Sequence, residues 1–268
     1  MTNNDVSQQQ PSAAMHGLEF IPQGRASHVL STFSWVKQAW QLFSSQWLYW
    51  LGAIIVTIAI CALVFIIPLI NLLAFFSLLG GVLYAAHCQL EAGKLTINHI
   101  FNGFNYLGHI CIAILLFVLL GLIIATLIMV PASAMLYQGE GAPQLDIDNT
   151  SASIGLIVFA VVLALITTFL STVVVFVLAL IVINKQSPVS ALLNALKGSV
   201  KNVFSVLVHH MVMLIITAIA VLPLGLGLFV AIPIGLISLY SCYRSVYYHA
   251  PTSQQSQQAS SPHGIEVL

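Results

Sequence analysis

Charge is what this sequence has least of. Of 268 residues only 5% are Asp, Glu, Lys or Arg, seven acidic against seven basic, while 59% are hydrophobic and the mean hydropathy is +1.02. A soluble domain carries about 25% charged residues, so a water-exposed surface of this size could not be covered. The zero net charge removes the basic surface that nucleic-acid binding requires. Catalytic patterns are lacking as well. There is no Cys-x2-Cys, no His-Glu-x2-His, no Gly-rich phosphate loop and no nucleophile with a basic partner. Cys61, Cys88, Cys111 and Cys242 fall within or at the ends of apolar runs and read as small apolar residues rather than disulfide partners. No cofactor is expected. What is left is an all-α, polytopic membrane helix bundle.

The few charges mark where that bundle is interrupted. None occurs between Lys37 and Glu91, Lys94 and Glu140, Asp148 and Lys185, or Lys201 and Arg244. A membrane-spanning helix needs roughly 20 apolar residues. The first interval holds two spans, about 48–68 and 71–91, broken at Pro68 and closing at Gly93, a helix C-cap. The second holds one, about 109–131, and the third one, about 153–182. The fourth holds two, about 203–222 and 225–244, separated by Pro223-Leu224-Gly225. Six transmembrane helices result.

Orientation follows from Lys and Arg, which concentrate in cytoplasmic loops. With the N-terminus inside, Arg25, Lys37, Lys94, Lys185, Lys197, Lys201 and Arg244 all fall on the cytoplasmic side. The opposite side receives short turns and one loop with Glu140, Asp146 and Asp148. Residues 1–28 and 250–268 are rich in Gln, Ser and Asn, and the first contains no apolar run resembling a signal peptide. Both are expected to be disordered cytoplasmic tails flanking a membrane domain at 29–249.

A threefold repeat organises the middle of the chain. Amphipathic stretches precede spans one, three and five: Val36, Trp40, Phe43 and Trp47 form the apolar stripe of the first, Ile97, Phe101 and Phe104 of the second, and Leu193, Leu196, Val200 and Val203 of the third. Ser187-Pro188 opens the last with a capping hydroxyl and a proline at the first helical position. Residues 33–46, 97–107 and 188–201 are expected to lie in the headgroup plane as interfacial helices, each leading into a transmembrane hairpin.

Three segments carry a resemblance: Trp35-x4-Trp40-x-Leu42-Phe43-x3-Trp47, His99-Ile100-Phe101-Asn102-Gly103-Phe104, and Leu239-Tyr240-x2-Tyr243-Arg244-x2-Tyr247. Together they resemble an uncharacterised family of bacterial six-span inner-membrane proteins over about residues 30–248. That resemblance implies a bacterial cytoplasmic-membrane location and no established activity. In layout the chain is distantly similar to the membrane domain attached to some glycerophosphodiester phosphodiesterases, whose soluble catalytic barrel has no counterpart here.

Among single residues, Trp35, Trp40, Trp47, Trp50, Tyr243 and Tyr247 read as interface anchors, since an apolar ring with a polar N–H or O–H suits the membrane boundary. His87, His109, His209 and His210 lie near that boundary, where an imidazole is costly unless paired. They read as histidines bonded to neighbours or water. Nearby Cys88, Cys111, Met211 and Met213 leave open a haem or metal site. Two small-residue stripes, Ser77, Gly81 and Ala85 in span two and Gly227, Ala231 and Gly235 in span six, read as helix-packing seams, and Pro233 should kink span six.

Function is open at this stage among three classes. The chain is a non-enzymatic membrane-organising or accessory protein, a transporter or channel for a neutral or amphiphilic solute, or a haem- or metal-binding membrane protein. The partners implied are the lipid bilayer and another membrane protein.

Overall fold

The computed structural model describes residues 18–93, 95–136 and 150–249. The acidic loop with Glu140, Asp146 and Asp148, Lys94, and residues 1–17 and 250–268 lie outside the described residues. Eight α-helices and one 3₁₀ helix make up nearly all of the rest. They are α1 (Ser31–Ser45), α2 (Trp47–Leu63), α3 (Pro68–Ala92), the 3₁₀ helix (Ile97–Tyr106), α4 (Leu107–Leu136), α5 (Thr150–Val182), α6 (Pro188–Lys201), α7 (Val203–Val221) and α8 (Leu228–Tyr247). Two short strands, β1 (Glu19–Phe20) and β2 (Tyr248–His249), pair antiparallel. Among the described residues five helices are long and apolar enough to cross a membrane, or six if the pair α1–α2, bent by 93°, is counted as one. This is the make-up of a multi-pass membrane protein.

Helix ends follow local chemistry. Pro68 and Pro188 stand in the first turns of α3 and α6, where a missing N–H costs nothing. Gly93 closes α3 in the left-handed conformation (φ 68°) and donates its N–H to the Gln89 carbonyl at 3.0 Å. Only glycine adopts that geometry without penalty. The hydroxyl of Ser187 does not cap α6. It donates to the Ser190 hydroxyl at 2.9 Å instead.

Three helices form the centre of the bundle and the others pack around them. α3, α5 and α8 pack directly on one another at the centre. A side chain at Gly80 would meet Val182, Phe176 touches Tyr243 and Tyr247, and His87 hydrogen-bonds to Tyr240, so all three pairings are made. Each outer helix fills the groove between two central ones: α2 between α3 and α8, α4 between α5 and α3, α7 between α8 and α5. The three remaining helices each pack on one central helix. The 3₁₀ helix lies on α3, α6 on α5, and α1 on α8.

Small residues mark the inner faces of these three wedges: Ala39 on α1, Gly103 on the 3₁₀ helix, Ala191 and Ala195 on α6, all buried. Larger ones, Phe33 and Trp40, Phe101, and Leu193 and Val200, point outward and are exposed. In lipid there is no hydrophobic reward for bringing helices together, so close backbone approach must supply the attraction.

Three expectations are corrected. Segment 97–107 is not a separate surface helix. It descends antiparallel along α3, with Ile100 against Gly81 and Gly103 against Ser77, and runs straight into α4. The reason is a period of three rather than 3.6: Ile97, Ile100 and Gly103 share one face, and Asn102 and Asn105 share another, where the Asn105 amide donates to Asn102 at 2.7 Å. On α1 the bundle-facing stripe is Thr32, Trp35, Ala39 and Phe43, while Trp40 of the expected stripe is exposed. The N-terminal tail expected to run to residue 28 is seated from Leu18 onward. Ile21 and Arg25 donate backbone N–H groups to Tyr247 and Val246 at 2.8 and 2.9 Å.

Candidate functional site

The C-terminal ends of α3, α5 and α8 bring a set of buried polar side chains together at one end of the bundle, Gln89 from α3 and Tyr240, Tyr243 and Tyr247 from α8 among them. Tyr243 is fully buried and donates to the Asn184 side chain just beyond α5, while the Asn184 amide donates to the Tyr248 hydroxyl at 2.8 Å. Tyr247 donates to the Asn194 carbonyl of α6 at 2.9 Å and lies against Gly198, where a side chain would collide with its ring. Burial pushes the Tyr248 phenol above its ordinary pKa, so it stays a neutral donor and acceptor at physiological pH. On the α3 side, His87 Nδ1 is 3.0 Å from the Tyr240 hydroxyl and its Nε2 is 3.3 Å from Glu91, one turn on.

The elbow between α1 and α2 is tied to the same end. Gln89 of α3 accepts from the Trp50 indole at 3.1 Å and donates to the Leu42 carbonyl at 2.7 Å and the Ser45 hydroxyl at 3.0 Å. One amide therefore bridges three helices. At the α6–α7 junction Asn202 does similar work. Its oxygen accepts from the Ser27 N–H and hydroxyl at 2.6 and 2.7 Å, and its amide donates to the Arg25 and Gly198 carbonyls, each at 2.8 Å.

Four of the six aromatic residues expected to anchor the membrane boundary are buried within the protein: Trp35, Trp50, Tyr243 and Tyr247. The same amphipathic logic holds, but the polar atoms of Trp50, Tyr243 and Tyr247 find Gln89, Asn184 and Asn194 rather than headgroups, and Trp35 packs edge-on to His209. Trp40 and Trp47 are about half exposed, as an anchor would be.

The four candidate histidines are not brought together. His87 belongs to the α3–α8 contact, and His109 is exposed on α4 beside Tyr106. His209 and His210 are neighbours on α7 but face different partners. His209 Nε2 lies 3.4 Å from Ser238, and His210 bonds to Ser171 at 3.2 Å and to the Val206 carbonyl at 2.9 Å. Among the described residues no three His, Cys, Asp or Glu side chains form a group that could hold a metal. The hydroxyls of Thr167, Ser171 and Thr172 bond back to carbonyls of their own helix.

The small-residue stripes lie at contacts. Ser77 and Gly81 face the 3₁₀ helix, Ala85 is fully buried, Gly227 lies against Ala220 of α7, Ala231 is buried, and Gly235 faces Met213. Sequence reasoning missed Asn184, Gln89 and Asn202, the amides that knit the polar end together. Their signal was position: each is a lone amide at or near a helix end, next to apolar runs. Compared with known proteins, the chain matches no family model, no curated protein and no solved structure.

Proposed function

We propose that this chain is a six-span protein of the bacterial cytoplasmic membrane, with both termini inside, that organises or supports other membrane components without chemistry of its own. α2 has 17 residues, at the short end of what spans a bilayer, and with the five longer helices it makes six. α1, at 93° to α2, then lies in the membrane plane. Three pairs, α2–α3, α4–α5 and α7–α8, become the hairpins of a threefold repeat. The one-sided Lys and Arg distribution supports the orientation.

The observation that carries the functional reading is the character of the clefts. Between α2, α3 and α8 lies a space of about 300 Å³ walled by Trp50, Ala53, Leu79 and Pro233, with the exposed side chains of Phe75 and Ile232 at its edge. The equivalent space between α3, α4 and α5 is about 240 Å³ and lined by residues such as Phe76, Ile114 and Phe117. Both suit acyl chains or the apolar side chains of a partner helix. Polar groups, by contrast, are spent on holding the helices together. Pro233, which interrupts the α8 hydrogen-bond ladder beside the first cleft, favours a second reading, passage of an amphiphilic solute.

Two experiments test this. Cysteine labelling should find position 145 outside and positions 94, 195 and 255 inside; an outside result at 195 removes the six-span layout. Pull-down from native membranes should recover a stable membrane-protein or lipid partner, whereas solute flux in proteoliposomes of the purified protein would replace the organising role with transport.

A further inference from the structure

The seated N-terminal segment and helices α1 and α8 enclose a cup of about 380 Å³ at the polar end. Its wall includes Arg25, Ser34, Gln38, Ser241, Arg244 and His249, and no acidic residue. Glu19, opposite His249 in the strand pair, and Glu91, on α3 beside His87, are not part of the lining, although the charge of Glu91 is felt at Tyr248 in its wall. Arg25 is fixed in place, donating from Nε to the Ser245 carbonyl at 2.9 Å and from its guanidinium to His249 Nδ1 at 2.8 Å. Arg244 is half-buried, and its guanidinium makes no hydrogen bond to a described residue. A cup that holds one arginine in place, leaves the guanidinium of a second to water, and sets both beside hydroxyl and amide donors with no acid in its lining presents positive charge to an anion.

Helix α1 fixes where that anion comes from. Ser31, Ser34 and Gln38 face the cup, while Phe33, Val36 and Trp40, on the opposite side of the same helix, line with Lys37 a largely apolar groove of about 620 Å³ against α7 and α8. The apolar side marks the direction of lipid, so the cup opens on the water side of α1.

We propose that the Arg25–Arg244 cup binds a phosphate-bearing anion, either a soluble phosphate compound or the headgroup of an anionic phospholipid reaching over α1. The guanidinium fork matches phosphate oxygens two at a time. The Ser34 hydroxyl and Gln38 amide supply further donors. This inference stands apart from the organising role, because it uses only the water-facing cup and none of the apolar clefts.

The test uses the full-length protein in nanodiscs of zwitterionic lipid, titrated calorimetrically with sodium phosphate at constant ionic strength. A parallel arm replaces part of the lipid with phosphatidylglycerol and reads the thermal midpoint without phosphate. Saturable phosphate binding identifies a soluble ligand, and a midpoint raised only by phosphatidylglycerol identifies the headgroup. In whichever arm responds, Arg244→Gln should weaken the effect about tenfold or more. Arg244→Lys should keep part of it, and Lys37→Gln, a charge outside the cup, should leave it unchanged. Because Arg244 gives up no hydrogen bond to a described residue, Arg244→Gln should retain the wild-type elution profile and ligand-free midpoint. The proposal falls if neither arm separates wild type from Arg244→Gln, or if Lys37→Gln and Arg244→Gln weaken binding equally.

Discussion

The carbonyl of Ile100 occupies the space that a side chain on Gly81 would need, and four residues earlier on α3 the Ser77 carbonyl does the same to Gly103. Two backbones thus meet face to face, one α-helical and one 3₁₀. This contact converts the middle pre-span segment from a surface feature into part of the bundle interior. Gly81→Leu and Gly103→Ala should each destabilise the protein by about 1–3 kcal/mol or more, as overpacking does where the obstacle is backbone. Gly52→Ala and Gly121→Ala, which meet nothing within 4 Å, should be neutral or slightly stabilising. Thermal unfolding in detergent reads the difference, and equal midpoints for all four variants would rule the close contact out.

The 3₁₀ geometry has its own signature. Spin labels placed singly from 97 to 106 should show least mobility at 100 and 103, three residues apart, where the segment meets α3. Minima at 97, 101 and 104 would mean that the segment is α-helical and only grazes α3.

Gln89 should be hard to replace. Gln89→Leu removes the acceptor of the buried Trp50 N–H and the donor to the Leu42 carbonyl together, and each buried polar group left unpaired costs about 1–3 kcal/mol. The elbow between α1 and α2 should loosen first. Trp50→Phe, which removes only one of these bonds, should cost less. Thermal midpoints of the two variants decide it, and a larger loss for Trp50→Phe would place the tie elsewhere.

Asn202 should govern the seated N-terminal segment. Asn202→Ala deletes its bonds to Ser27 and Arg25, leaving Lys201, Ser205 and the bonds of Ile21 and Arg25 to the end of α8 to hold residues 18–28. Limited proteolysis should then cut between Gln23 and Leu30 several-fold faster, with helix content unchanged by circular dichroism. An unaltered cleavage rate would show that the bonds to the end of α8 suffice.

Elements that depend on a few adjacent residues were legible in the sequence. α6 begins at Pro188 and ends at Lys201 as expected, and Gly93 stops α3 because the chain needs positive φ there. Which side of α1 faces the protein was not legible from hydrophobicity, because both its neighbours are apolar. Trp40 meets the outside and Ala39 meets α8, so residue size rather than polarity marks the inner face. The triplets Ile97-Asn98-His99, Ile100-Phe101-Asn102 and Gly103-Phe104-Asn105 were present to be read, but a search for helical spacing passes over a period of three. The pairing of Phe20 with Tyr248 joins opposite ends of the chain, and nothing local announces it. Within the polar end, the tyrosines stood out by composition, while the single amides that satisfy them did not.

Because α1 seats on α8, the first of the described helices waits for the last of them. During translation the inner face of α1, with Trp35 and Ala39, has no partner until more than half of the chain has followed. The 3₁₀ helix and α6 find theirs as soon as they emerge. The bundle is therefore sealed by a seam between its newest and oldest parts, and release of α8 from the insertion machinery is the event that commits the fold. A chain shortened before Leu228 would strand α1 and the N-terminal segment together, presenting quality-control proteases with a defect at the end of the protein opposite to the deletion.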